Sequence, residues 1–137
     1  MILKKYDPMS EQKEHIENYV ETLSEETGLT VLVTDNRNIV VACGKNSRQY
    51  SGKEVSKELE RVIDRRNLVV SKDVGFIKLV EEDKASEFVS QAIAPIISDS
   101  DLIGSIVLVS KDINKQITQS DLKLLQISKN YLSKLFE

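Results

Sequence analysis

The sequence predicts an α/β protein of the α+β type: a three-layer α/β/α domain with a central, mainly antiparallel sheet. Three observations indicate this architecture, namely helical periodicity near both ends of the chain, two hairpin-like pairs of apolar runs, and a short amphipathic helix between them. Neither face of the later hairpin has a solvent-exposed pattern, so layers must cover both sides of the sheet. We expect the terminal helices on one face and the middle helix on the other.

The first predicted helix runs from about Pro8 to Thr27. Asp7 or Ser10 is suited to cap its start, and Gly28 is suited to end it. Apolar residues at helical spacing give this helix one narrow buried face, made of Met9, Ile16, Tyr19, Val20 and Leu23.

The middle of the chain alternates strands with one helix. "GLTVLVTDNRNIVVACG" contains two β-branched runs around the turn residues 35–38 and predicts a hairpin. A helix is expected from about Ser56 to Arg66, and "LVVSKDVGFIKLV" predicts one or two short strands.

The strongest β pattern comes late, where "FVSQAIAPII" and "LIGSIVLVS" flank the turn "SDSD". Pairing the two runs about that turn predicts two different faces. One face would carry Ser90, Ala92, Ala94 and Ser105, and the other Gln91, Ile93, Ile106 and Leu108.

The last predicted helix, from about Gln119 to Phe136, is apolar over more than one face. A capping-box-like pair, Thr118 and Asp121, begins it. Leu125, Leu132 and Phe136 are placed to face the sheet. Burying each further apolar side chain stabilises by roughly 1.5–3 kcal/mol, so a second copy is expected to cover a dimer interface made of Leu124, Ile127, Tyr131 and Leu135. The alternative is that the first helix covers these residues within one chain.

Composition excludes several classes of function. The net charge of −3 argues against nucleic-acid binding by these residues. One histidine and one cysteine leave no catalytic residues and no metal site to predict, and we expect neither an enzyme nor a cofactor. No apolar run approaches the roughly 20 residues of a membrane helix, and a single cysteine fits a cytoplasmic protein.

Lysines near the C-terminus are expected on a solvated helix face: Lys111, Lys115, Lys123, Lys129 and Lys134.

The irregular segment between Gly44 and Gly75 is expected to leave a concave pocket over the second face of the sheet. The polar residues that would line this ligand-binding pocket are Cys43, Tyr50, Arg66, Ser71 and Gln91. The alternative for each of them is a structural hydrogen bond or a surface position, and for Cys43 the role of a small buried apolar residue.

Two stretches resemble GAF domains, which are sensing modules. "QAIAPIISDSDLIGSIVLVS" is similar to the closing strands of that family, with Pro95 and Gly104 at characteristic places. "NKQITQSDLKLLQ" is similar to the entry of its final helix, but Ile117 stands where Phe is usual and Leu122 where Glu is usual. These departures argue against cyclic-nucleotide binding.

Further stretches, "ILKKYDPMSE", "ERVIDRRNLVVSK" and "IGSIVLVSKD", resemble sporulation transcription regulators that join an AbrB-like DNA-binding domain to a GAF domain. The resemblance implies that residues 1–8 are the linker and last strand of an upstream AbrB-like domain, and that residues 9–137 form the GAF-like domain.

The function that follows from this resemblance is regulatory. The domain would sense an unknown small-molecule effector and form a homodimer through its terminal helices, giving a tetramer in the full-length protein. DNA would be bound only through the N-terminal domain that this chain lacks. The alternative is a purely structural oligomerisation module with no ligand.

Overall fold

A five-stranded antiparallel sheet forms the centre of this computed structural model, which describes residues 8–72 and 75–137. The strands lie in the order β2-β1-β5-β4-β3. Their bounds are Thr30–Thr34 for β1, Ile39–Cys43 for β2, Val69–Lys72 for β3, Ser90–Ser98 for β4 and Asp101–Ser110 for β5. The predicted class of fold is confirmed.

The helices are α1 (Pro8–Glu11), α2 (Lys13–Thr27), α3 (Lys57–Asp64) and α4 (Gln119–Leu135), with single 3-10 turns at Ser47–Gln49 and Ala85–Glu87. The prediction of one continuous first helix is wrong, because the chain leaves helical geometry at Gln12. Gly28 ends α2 as predicted, in a left-handed conformation with φ 71°. The capping box of α4 is confirmed by both of its hydrogen bonds, between Thr118 and Asp121.

Two apolar cores lie on the two faces of the sheet. The terminal-helix core holds buried residues of α2 and α4, among them Ile16, Val20, Leu125 and Leu132. The loop-side core holds Leu59, Val62 and Ile63 of α3 together with residues from the loops around it. The expected layers are therefore confirmed, with the terminal helices on one face and α3 on the other.

The predicted faces of the late hairpin are wrong on β5. Ser98 pairs with Asp101 across a turn in which Asp99 and Ser100 both have positive φ. A bulge then shifts the register between Ile96 and Ile97. Because a shift of one residue exchanges the two faces of a strand, Ile106 and Leu108 pair with Ala94 and Ala92 and join the terminal-helix core.

The predicted remnant of an upstream domain, residues 1–8, lies outside the described residues except for Pro8, which begins α1. Asp7, one of the two predicted caps of the first helix, is likewise outside them.

Candidate functional site

A buried polar cluster occupies the space between the loops and the sheet, where the sequence predicts a pocket. Tyr50 is fully buried, and its hydroxyl donates a 2.9 Å hydrogen bond to Oδ1 of Asp83. Burial, followed by the negative charge of Asp83, raises the pKa of Tyr50. The other carboxylate oxygen of Asp83 accepts hydrogen bonds from the backbone N–H groups of Leu79 and Val80. Tyr50 thus fills this space with its own ring.

Lys111 closes the same cluster from the end of β5. Only 13% of its side chain is exposed, and its Nζ lies 5.2 Å from the ring centroids of both Tyr50 and Phe88. The ammonium donates to Oε1 of Gln49 at 3.0 Å and lies 3.6–3.7 Å from carboxylate oxygens of Glu87 and Asp83. The prediction that Lys111 and Lys115 lie on a solvated helix face is therefore wrong, because both precede α4 and both are half-buried.

Gln91 and Ser71 lie on the same face of the sheet as Tyr50, where adjacent strands pair them. The side-chain amide of Gln91 donates to the carbonyl of Ile77 at 2.7 Å and accepts from its N–H at 3.1 Å. Ser71 donates to the carbonyl of Gly75 at 3.1 Å. Both side chains are engaged in hydrogen bonds that hold the loop after β3.

The other two predicted pocket residues lie elsewhere. Cys43 is half-buried and packs against the terminal-helix core, across the sheet from Tyr50. Arg66 is exposed, with φ 60°, and its Nη1 donates to the carbonyl of Ser100 in the β4–β5 turn, at the opposite end of the sheet. The structure places Tyr50, Ser71 and Gln91 on one face of the sheet, and it separates Cys43 and Arg66 from them.

A groove of about 700 Å³ opens at the end of the sheet where β1 begins and β5 ends. Its walls come from the end of α2, the segment after β2 and the segment between β5 and α4. Lys45, Lys111 and Lys115 line it, together with Val89 and Val109. This groove was not predictable from the sequence, because nothing in the spacing of Lys45 and Lys115 along the chain shows that the fold brings them to one end of the sheet.

The outer side of α4 carries most of the predicted interface. Leu124, Ile127 and Tyr131 are 39%, 54% and 43% exposed, whereas Leu135 is half-buried and packs against the terminal-helix core. The ring of Tyr131 stacks on that of Tyr19 from α2, with centroids 4.9 Å apart and an angle of 15° between the rings. Leu124, Ile127 and Tyr131 are here called the α4 stripe.

Neither a metal-binding cluster nor a membrane-spanning helix occurs in the part of the chain that the structure describes. No group of three or more His, Cys, Asp or Glu side chains is placed to hold a metal ion. No helix within residues 8–72 and 75–137 combines the length and the apolar character needed to cross a membrane.

Solved structures with the same fold define the class of protein. The blue-light-absorbing PixJ GAF domain of Thermosynechococcus elongatus has a TM-score of 0.70 at 12% identity, covering 97% of this chain and 91% of that one. The GAF domain of the nutrient sensor CodY from Clostridium difficile has a TM-score of 0.63 at 11% identity, covering 95% and 97%. Type II free methionine-R-sulfoxide reductase from Thermoplasma acidophilum has a TM-score of 0.68 at 12% identity, covering 96% and 95%. At these identities the likeness establishes the fold alone, which is that of a GAF domain.

Sequence comparison establishes the family. A family described as "Stage V sporulation protein T C-terminal, transcription factor" matches residues 11–137. Stage V sporulation protein T of Bacillus subtilis (strain 168) is 30% identical over 140 residues, which span 100% of this chain and 75% of that protein. The chain belongs to this family of transcription-factor domains, which confirms the resemblance seen in the sequence.

Proposed function

We propose that this domain is the regulatory and pairing domain of a sporulation transcription factor, and that two copies associate through the face formed by α2 and α4. The observation that carries the proposal is the α4 stripe. Its residues follow one another at spacings of three and four, so that they form one continuous line along the helix. A second copy that covers this line removes three large apolar side chains from water.

The contacts within one chain support a partner of this kind. Leu135 is already half-buried against the chain's own core, and α2 covers one side of Tyr131 through Tyr19. Ile127 nevertheless remains 54% exposed. The alternative that α2 covers the whole interface therefore fits one side of Tyr131 but not Ile127.

In this proposal, DNA is bound by the part of the full regulator that precedes this domain. An AbrB-like domain has that role in the regulators that the sequence resembles. The family is that of a C-terminal domain, and the chain spans 75% of its B. subtilis relative. A net charge of −3 argues against binding of the DNA phosphate backbone by this domain itself. Pairing here would set the distance between two such DNA-binding parts. The location that fits this proposed role is the cytoplasm.

The proposal includes a small-molecule effector, and a purely structural pairing module is the alternative. An effector that prefers one arrangement of the dimer shifts the population toward it. Because a ligand of the folded state stabilises by mass action, a thermal-shift screen with metabolites, amino acids and nucleotides separates the two. A reproducible rise in Tm supports sensing, and its absence across the screen supports the structural module.

Pairing is tested by Ile127→Asp, which places a carboxylate in the centre of the α4 stripe. The matched control is Ile113→Asp, because Ile113 is 81% exposed and lies in the loop before α4. We expect light scattering to give the mass of a dimer for the parent and for the control, and the mass of a monomer for Ile127→Asp. A monomeric parent, or an Ile127→Asp dimer, contradicts the proposed interface.

A further inference from the structure

We infer that the groove at the end of the sheet is a binding site for a small organic anion. Lys45 and Lys115 would hold its carboxylate or phosphate group, and its apolar part would lie on Val89 and Val109. This inference rests on the effector-sensing part of the proposed function. It does not depend on pairing through α2 and α4.

The groove is formed by segments that the sheet itself positions. Thr30, the first residue of β1, lines the groove. Its hydroxyl donates a hydrogen bond to the carbonyl of Lys45 and so fixes the position of the segment after β2. Ser110 ends β5 and accepts a hydrogen bond from the N–H of Asp112, which directs the chain toward Lys115. A volume of about 700 Å³ suits a metabolite, since small-molecule sites commonly occupy about 300–1,000 Å³.

The three lysines that line the groove differ in whether a carboxylate lies near their ammonium group. Glu87 lies 3.6 Å from the ammonium of Lys111, which is also bound to Gln49 and near Asp83. Among residues 8–72 and 75–137, no carboxylate lies within ion-pairing distance of Lys45 or Lys115. Two carboxylates line the groove: Glu87 pairs with Lys111, and Asp112 accepts a 2.9 Å hydrogen bond from the N–H of Asn114. Within the described part of the chain, the ammonium groups of Lys45 and Lys115 therefore have no paired carboxylate, and an anion is the ligand that complements them.

The C-terminal end of α2 positions Lys115. A Cβ atom at Gly28 would lie 3.3 Å from Cε and 3.5 Å from Nζ of Lys115, so the lysine passes directly over this glycine. The carbonyl end of a helix attracts a cation, and Gly28 leaves room for one. Lys115 is half-buried as a result and extends along the wall of the groove.

The floor accounts for the apolar part of the ligand. Val109 is buried on the loop-side face of the sheet, and Val89 is half-buried beside it. The two hydroxyl groups nearby, on Thr30 and Ser110, are already used in hydrogen bonds to the protein. A floor of this kind favours an anion that carries an aromatic or aliphatic group over a bare inorganic ion.

The test is a titration of the ¹⁵N-labelled domain with phenyl phosphate and with benzoate, using phenol as the neutral control. We expect saturable amide shifts at Gly28, Asn46 and residues 109–115 with at least one anion, and none with phenol. The two anions distinguish a phosphate from a carboxylate ligand. In the variant Lys45→Gln/Lys115→Gln we expect affinity to fall by about tenfold or more.

The matched control is Lys57→Gln/Lys123→Gln, which removes the same charge from two exposed helical positions outside the groove and should retain the parent affinity. An unchanged spectrum outside the groove shows that each variant is folded. The inference is overturned if neither anion gives saturable shifts, if the shifts lie elsewhere, or if both double variants bind equally. Effector sensing survives this failure if the thermal-shift screen finds a metabolite whose shifts lie outside the groove, and light scattering reports on pairing separately.

Discussion

The hydroxyl of Tyr50 and the carboxylate of Asp83 form a buried hydrogen bond. The two residues are 33 positions apart in sequence and lie in different loops. Asp83 uses its second oxygen to accept from the N–H groups of Leu79 and Val80. One carboxylate therefore joins the turn before Tyr50 to the loop that covers the second face of the sheet. This bond also fixes the ring that lies under Lys111 and the adjoining groove.

Replacing Asp83 with alanine should destabilise the domain strongly. The change leaves the hydroxyl of Tyr50 and two buried N–H groups without their acceptor, and each such loss costs about 1–3 kcal/mol. We expect the free energy of unfolding, measured in urea, to fall by about 3 kcal/mol or more. Glu82→Ala is the control, because its side chain is exposed, and an equal loss there would contradict the role of Asp83.

Alkaline pH should weaken the domain through Tyr50. Burial, followed by the negative charge of Asp83, raises the pKa of Tyr50 in the folded state. In the unfolded chain a tyrosine ionises at about pH 10. The stabilising contribution is therefore fully present below that pH and is lost as the pH rises further. Tyr50→Phe removes this ionisation, so its stability should decline less steeply between about pH 9 and about pH 11. Parallel declines in urea denaturation would show that Tyr50 ionises freely in the folded state.

Gly104 should not tolerate a side chain. A Cβ atom there would lie 1.8 Å from the carbonyl oxygen of Thr34 on the neighbouring strand. Gly104→Ala should therefore cost at least about 3 kcal/mol of unfolding free energy, since the two strands must separate. Gly52→Ala is the contrast, because it meets nothing within 4 Å and strains only a φ of 76°, at about 1–2 kcal/mol. Equal costs would mean that β1 and β5 adjust easily.

The thiol of Cys43 should react slowly in the native protein. Burial raises its pKa first, and the negative charges of Glu21, Glu17 and Glu25 on α2 raise it further. Because the thiolate is the reactive form, iodoacetamide at about pH 8 should alkylate the native domain more slowly than the urea-unfolded chain. Glu17→Gln/Glu21→Gln should accelerate the native reaction.

The control for Cys43 is Glu60→Gln/Glu82→Gln, which removes the same charge from exposed positions on α3 and the loop after β3. Equal rates in the two double variants would show that the carboxylates of α2 do not act on this thiol.

Features that depend on neighbouring residues were predictable from the sequence. The capping box from Thr118 to Asp121, the end of α2 at Gly28 and the turn between β1 and β2 each need only a few consecutive residues. The bulge in the β4–β5 hairpin was not predictable, because the approach of Thr34 to Gly104 constrains β5 from another strand. The bulge decides which face Ile106 and Leu108 occupy.

The candidate sites divide in the same way. Periodicity along α4 identified the α4 stripe, because residues three and four apart share a helix side whatever the fold. The sequence does not show which residues from separate segments lie close together in the fold. Cys43 and Arg66 were therefore wrongly grouped with the pocket residues, and the proximity of Lys45 and Lys115 to one groove was not predicted.

The sequence by itself determined the class of fold, the two layers of helices and the apolar excess of the last helix, since helix and strand periods fix which residues share a side. Only the tertiary structure decided that Tyr50 fills the expected pocket and that a lysine-lined groove opens at the end of the sheet. The physical reason is that cavities form where distant segments meet, and their contents depend on how all of those segments pack at once.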